Sequence, residues 1–179
     1  MRVIGIDPGS NYMGLACVEA RGTAMHWIGH RVVKVVAEKE MPQRLALIHE
    51  AVQEAIALWK PQAISVEEVF FAKNAQSALK LGQARGAAIA SAAILELPVF
   101  EYPATIVKQA VTGSGRSEKD QVERMVRAIL GKSLPADQDF SRADASDALA
   151  VAICHLQYRH RAELLQAPKP EKRLGIAPR

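Results

Sequence analysis

Three apolar runs open the chain, Arg2 to Asp7, Gly14 to Glu19 and roughly Met25 to Val36. The connections between them, Pro8-Gly9-Ser10-Asn11 and Arg21-Gly22-Thr23, are turn sequences too short to hold a helix. Strands joined so tightly must fold back antiparallel, because a parallel neighbour needs a crossover of a dozen or more residues. Beyond this meander the pattern changes. Leu45, Ile48, Val52, Ile56 and Trp59 recur at helical spacing between Pro42 and Pro61, and Ala63 to Val66 is a short apolar strand. An Ala-rich helix follows from about Asn74 to Leu97, then a strand from Val99 to Tyr102 and helices near Thr105 to Val111, Ser117 to Leu130 and Arg142 to His160. Such a chain predicts an α/β fold: a mixed sheet of five strands, the first three antiparallel, with helices on both faces.

With 179 residues, 49% of them hydrophobic, the chain has enough apolar mass for one core and needs no second domain. The formal charge of +4 is unevenly placed. Met1 to Tyr158 carries 17 bases and 17 acids, whereas Arg159 to Arg179 carries six bases against two acids together with Pro168, Pro170 and Pro178. Residues 1–160 are therefore expected to form the domain and 161–179 a disordered basic tail. Cys17 and Cys154 each lie among apolar residues, which predicts reduced core thiols and neither a disulfide nor a zinc site. The uncharged stretch Gly86 to Leu95 is half the roughly 20 residues of a membrane span, and the first residues lack a signal-peptide pattern, so cytoplasmic residence and no membrane are expected.

The acids carry the chemistry. Strand alternation puts Val3, Gly5 and Asp7 on one side of the first strand, with Asp7 at the carboxyl end where ligands of open α/β sheets bind. The Ala63 strand runs into Glu67 and Glu68, either of which can meet Asp7 if the two strands are parallel neighbours. Asp144 and Asp147 lie three apart on the last helix, on one face. Asp7-Pro8-Gly9-Ser10 is also an ordinary turn, and Asp144 is also placed to complement a helix dipole; Asp147 is harder to dismiss, since it lies a turn deeper among Ala148, Val151 and Ala152, where an unpaired carboxylate is costly. Four carboxylates at one point repel by several kcal/mol at an effective dielectric of about 20. Hard divalent cations with all-oxygen ligands relieve that, and two ions about 4 Å apart suit phosphodiester cleavage.

Taken in order, Ile4-Gly5-Ile6-Asp7-Pro8-Gly9-Ser10, Val66-Glu67-Glu68-Val69-Phe70, Ala72-Lys73-Asn74-Ala75, Ser77 to Gly86, Val107-Lys108-Gln109 and Ala143 to Ala150 resemble the RuvC Holliday-junction resolvases. The likeness runs from about residue 2 to 155. It implies a ribonuclease H-like fold, a homodimer, paired nicks in four-way junction DNA, and association with the RuvA-RuvB branch-migration motor. It implies two Mg²⁺ or Mn²⁺ ions held by Asp7, Glu67, Asp144 and Asp147, and places Lys108 and Lys119 beside the scissile phosphate. Phe70 is implied at the junction centre with Phe71 beside it; Lys73, Lys80 and Arg85 are expected on phosphates, since no acid lies between Val69 and Leu95, and the flexible loop Gly113-Ser114-Gly115-Arg116 is expected to touch backbone phosphates. The small residues Gly86, Ala87, Ala88, Ala90, Ser91, Ala92 and Ala93 suit a two-fold helix contact or a tight internal one. An actin-like ATPase shares the first strand and turn, but needs a second phosphate-loop domain that this length does not provide.

Overall fold

A computed structural model describes residues 1–68, 74–135 and 143–166. Among these residues five strands form one sheet, β1 (Arg2–Asp7), β2 (Met13–Arg21), β3 (Ala24–Val33), β4 (Ala63–Glu68) and β5 (Val99–Pro103), in the order β3-β2-β1-β4-β5. The β1–β2 and β2–β3 pairs are antiparallel, and β1–β4 and β4–β5 are parallel. That is the consequence of loop length expected from the sequence. α1 (Met41–Trp59) carries β3 across to β4, and α2 (Ala75–Ala93) carries β4 to β5. α3 (Ala104–Thr112), α4 (Lys119–Leu130) and α5 (Ala143–Gln166) follow.

Period-two alternation divides the strands between two cores. Val3, Ala16, Val18 and Ala63 pack with α3, α4 and α5, while Ile4, Ile6, Leu15, Cys17, Ile64 and Val66 pack with α1 and α2. Helices therefore cover both faces. Cys17 and Cys154 are buried, free and on opposite sides of the sheet, and burial pushes each thiol up to about 12.

Local chemistry sets the element ends. Pro42 occupies the first turn of α1, where its missing N–H costs nothing, and Lys60 adopts a left-handed φ of 49° before Pro61. The Asn74 side chain accepts from the Ser77 N–H at 2.9 Å to start α2. α2 stops short of the expected Leu97. The Leu97 N–H reaches Ala92 O and the Glu96 N–H reaches Ala93 O, a Schellman closure that sets Glu96 at φ 56°.

Two further boundaries differ. β3 ends at Val33, not Val36, because a 3-10 turn at Val35–Ala37 directs the Val36 N–H to Asn11 O at 2.9 Å. α5 runs to Gln166, past the expected end at His160; residues 167–179 lie outside the described ones.

Two glycines decide where α5 lies. A Cβ at Gly5 would overlap the Ala148 carbonyl, and one at Gly14 would overlap the Asp144 carbonyl. The α5 backbone thus rests directly on β1 and β2 with no side chain between them. Ser65 on β4 ties the same face down, its hydroxyl lying 3.2 Å from Val151 O and 3.3 Å from Ile4 O.

Candidate active site

Strand register chooses between Glu67 and Glu68. Gly5 pairs with Ser65 and Ile6 with Val66, so the next step along both parallel strands sets Asp7 beside Glu67. Both side chains share the face of Gly5 and Ser65, against which α5 packs. Glu68 belongs to the alternate set with Val66, which packs on the α1 and α2 side. Asp7 and Glu67 thus stand side by side at the ends of their strands, close enough for each to act on the other's ionisation.

α5 brings the other two acids. Because the Asp144 backbone lies against Gly14, and Gly14 pairs with Asp7, the first turn of α5 sits over the end of β1. Asp144 and Asp147, half-buried, act electrostatically on Asp7 from there. Burial first, and then the charges of Glu67, Asp147 and Asp144, hold the Asp7 carboxyl well above its ordinary value of 3.8. Glu67 is also raised, by burial and then by Asp147, while Lys119 and Lys108 oppose the shift. A pair of carboxylates about 5 Å apart repels by about 3 kcal/mol at an effective dielectric of 20, so the cluster resists full ionisation by itself.

The lysines complete the pocket. Lys119 stands at the start of α4 and donates from Nζ to Asp147 Oδ2 at 3.1 Å. Asp147 above all raises the Lys119 ammonium, keeping it charged. Lys108, half-buried on α3, reaches Glu67 electrostatically. Sequence-distant residues at Asp7, Glu67, Asp144, Asp147, Lys108 and Lys119 thus share one site.

Among the described residues no three His, Cys, Asp or Glu side chains are drawn together tightly enough to grip one ion. The donor set still fits a hard divalent cation. It is all oxygen, and burial with the neighbouring acids disfavours the charged form of Asp7, a penalty that a cation would relieve.

The expected DNA contacts fare differently. Lys80 on α2 and Arg116 in the α3–α4 connection are exposed. Arg85 is engaged elsewhere: its guanidinium pairs with Glu101 on β5, and its buried Nε has no hydrogen-bond partner. The acid-free stretch around Arg85 concealed this, because the partner arrives from a different strand. Phe70, Phe71 and Lys73 lie outside the described residues.

The model of the crossover junction endodeoxyribonuclease RuvC family matches residues 3–155. The chain belongs to the RuvC family. The RuvC endodeoxyribonuclease of Trichlorobacter lovleyi is 51% identical over 156 residues, 87% of this chain and 85% of its own length. That of Geobacter sp. strain M21 is 47% identical over 166 residues, 93% of this chain and 98% of its own. Thermus thermophilus RuvC, solved in complex with a Holliday junction substrate, matches with a TM-score of 0.82 at 36% identity, covering 90% of this chain and 96% of that one. The fold is ribonuclease H-like, as the RuvC resemblance implied.

Proposed function

We propose that this chain is a Holliday-junction resolvase, a homodimeric, metal-dependent endonuclease that nicks two opposed strands of a four-way DNA junction. The convergence of Asp7, Glu67, Asp144 and Asp147 on the face closed by α5 carries this reading. Membership of the RuvC family supports it, as does the likeness to a RuvC solved with junction DNA.

Asp7 and Glu67 from the sheet, and Asp144 and Asp147 from the helix, would hold Mg²⁺ or Mn²⁺, two ions per site. When bound, such ions polarise the phosphate, lower the pKa of the attacking water and screen the leaving oxygen. Burial and the neighbouring acids oppose the ionisation of Asp7, and a bound cation would offset that penalty. Lys119, kept protonated and oriented by Asp147, presents positive charge where the phosphate oxygens gain negative charge during attack. Lys108 adds a second cation from α3. Because the lysines already offset part of the acidic charge, the site attracts a polyanion more readily than four bare carboxylates would.

Exposed Lys80 and Arg116 would meet backbone phosphates, as would Lys73, with Arg85 held back by Glu101. Phe70 and Phe71 would stack on bases at the crossover. The outer face of α2 suits the homodimer. Ala84, Ala88 and Ala92 are consumed internally, but Leu79 is 70% exposed, and at Gly82 and Gly86 an added Cβ would meet nothing within 4 Å. Handover from a RuvA-RuvB motor belongs to the same proposal, and among the described residues no helix is long and apolar enough to cross a membrane.

The test is cleavage of synthetic four-way, duplex and single-stranded DNA with and without Mg²⁺. Paired nicks confined to the junction and dependent on Mg²⁺ are expected. Asp147→Asn should abolish them while leaving junction binding largely intact. Junction binding without any cleavage by the native chain would reduce the protein to a scaffold.

A further inference from the structure

Asp7 leaves β1 into a turn, residues 8–12, that is closed from within and pinned from without. A Cβ at Gly9 would overlap the Tyr12 carbonyl, so the turn is tight. The pins come from one neighbouring segment, the stretch that leaves β3 and enters α1. The Val36 N–H donates to Asn11 O at 2.9 Å, and Arg44 Nη1 donates to Ser10 O at 3.3 Å. Arg44 Nε also donates to Glu38 O at 2.8 Å. One half-buried guanidinium therefore joins the loop before α1 to the turn after Asp7. Its own backbone is held by the first turn of α1, where the Arg44 N–H donates to Glu40 O at 3.1 Å. α1 in turn is seated in the core by Ile48, Val52 and Trp59.

Asp7 ends β1 directly before this turn, so the position of the turn sets where the Asp7 carboxyl stands beside Glu67. A planar guanidinium serves two carbonyls at fixed spacing and stays charged at any working pH, whereas an ammonium offers no such fork. We propose that Arg44 is a positioning residue, a brace that carries the rigidity of α1 to the turn and so keeps Asp7 aimed into the acidic pocket. It rests on reading Asp7 as a cation ligand, and Arg44 itself touches neither cation nor phosphate in this role.

The experiment compares the full-length native chain with Arg44→Met and Arg44→Lys. Mn²⁺ binding to the DNA-free protein is measured by calorimetry, beside single-turnover cleavage of a four-way junction, metal-free junction binding and Tm. Misplacing one ligand by an ångström is expected to weaken Mn²⁺ binding and slow cleavage about ten- to a hundredfold in Arg44→Met, with junction binding little changed. Arg44→Lys should fall between, since it can serve one carbonyl. Ile48→Val supplies a control that lowers Tm by loosening the core alone.

Unchanged Mn²⁺ affinity in Arg44→Met overturns the proposal. So does an equal loss of affinity in Ile48→Val at matched Tm, because Arg44 would then act through stability only. A native chain that binds Mn²⁺ but cuts no junction defeats the nuclease reading while the binding comparison still judges Arg44.

Discussion

Asp7 illustrates how one carboxyl couples stability to chemistry. Its folded pKa lies well above the ordinary value of 3.8, so the unfolded chain ionises first as pH rises. The folded state then binds more protons than the unfolded one, and stability is lost between the ordinary carboxylate range and the raised value. Asp7→Asn should therefore raise the Tm of the metal-free protein at neutral pH, by about 2–4 °C for each kcal/mol of repulsion relieved. The gain should fade below pH 4 and reverse in sign when Mg²⁺ is added, because only the native chain gains a bound cation; thermal melts at three pH values check this. The basic residues separate in the same way. Lys80→Gln should reduce the salt slope of junction binding by about one, as for a single phosphate contact. Arg85→Gln should leave the slope nearly unchanged and lower Tm instead, since Glu101 already neutralises that guanidinium. A full slope loss in Arg85→Gln would return it to the DNA surface.

The placement of α5 is what makes a site out of separated acids. Gly14 was legible in the sequence only as the start of a strand, yet its missing Cβ lets Asp144 lie against the partner of Asp7. Gly14→Ala should push the first turn of α5 off the sheet. A cost of about 1–3 kcal/mol in stability is expected from overpacking, with a cleavage loss greater than that loss of stability explains. Denaturant melts beside single-turnover assays distinguish the two. The strands, helices and paired acids could be read from alternation, helical spacing and loop length. The choice of Glu67 over Glu68 could not, because it depends on the register of β1 against β4 and on which face α5 covers. Nor could the ends of β3 and α2 be read. They are set by the Val36 bond to Asn11 and the Schellman closure at Glu96, neither of which leaves an apolar pattern.

The whole molecule places its acids, its lysines and an open helix face around one sheet. α1 and α2 cover the side away from the acids, and α2 then presents Leu79, 70% exposed, with Ile94, 68% exposed, just past its last turn. A two-fold contact across that face would set two cutting sites in one particle, as two opposed nicks require. Leu79→Glu should convert the proposed dimer to a monomer by light scattering without lowering Tm beyond the loss of that dimer itself, because Leu79 is 70% exposed and supports little of the internal core. A mass unchanged by the substitution would move the dimer contact elsewhere. The fold class was accessible from the sequence because it rests on residue type and spacing, whereas the four-acid set, with Glu67 in it, came from the RuvC resemblance. The Arg85–Glu101 pair and the Arg44 brace were accessible from neither, since each joins elements that only the folded chain brings together. The most direct measurement is anomalous diffraction from crystals of the native protein soaked in Mn²⁺. Two peaks coordinated by carboxylate oxygens of Asp7, Glu67, Asp144 and Asp147 are expected; peaks bound elsewhere, with these four side chains empty at saturating Mn²⁺, would contradict the metal-dependent nuclease site.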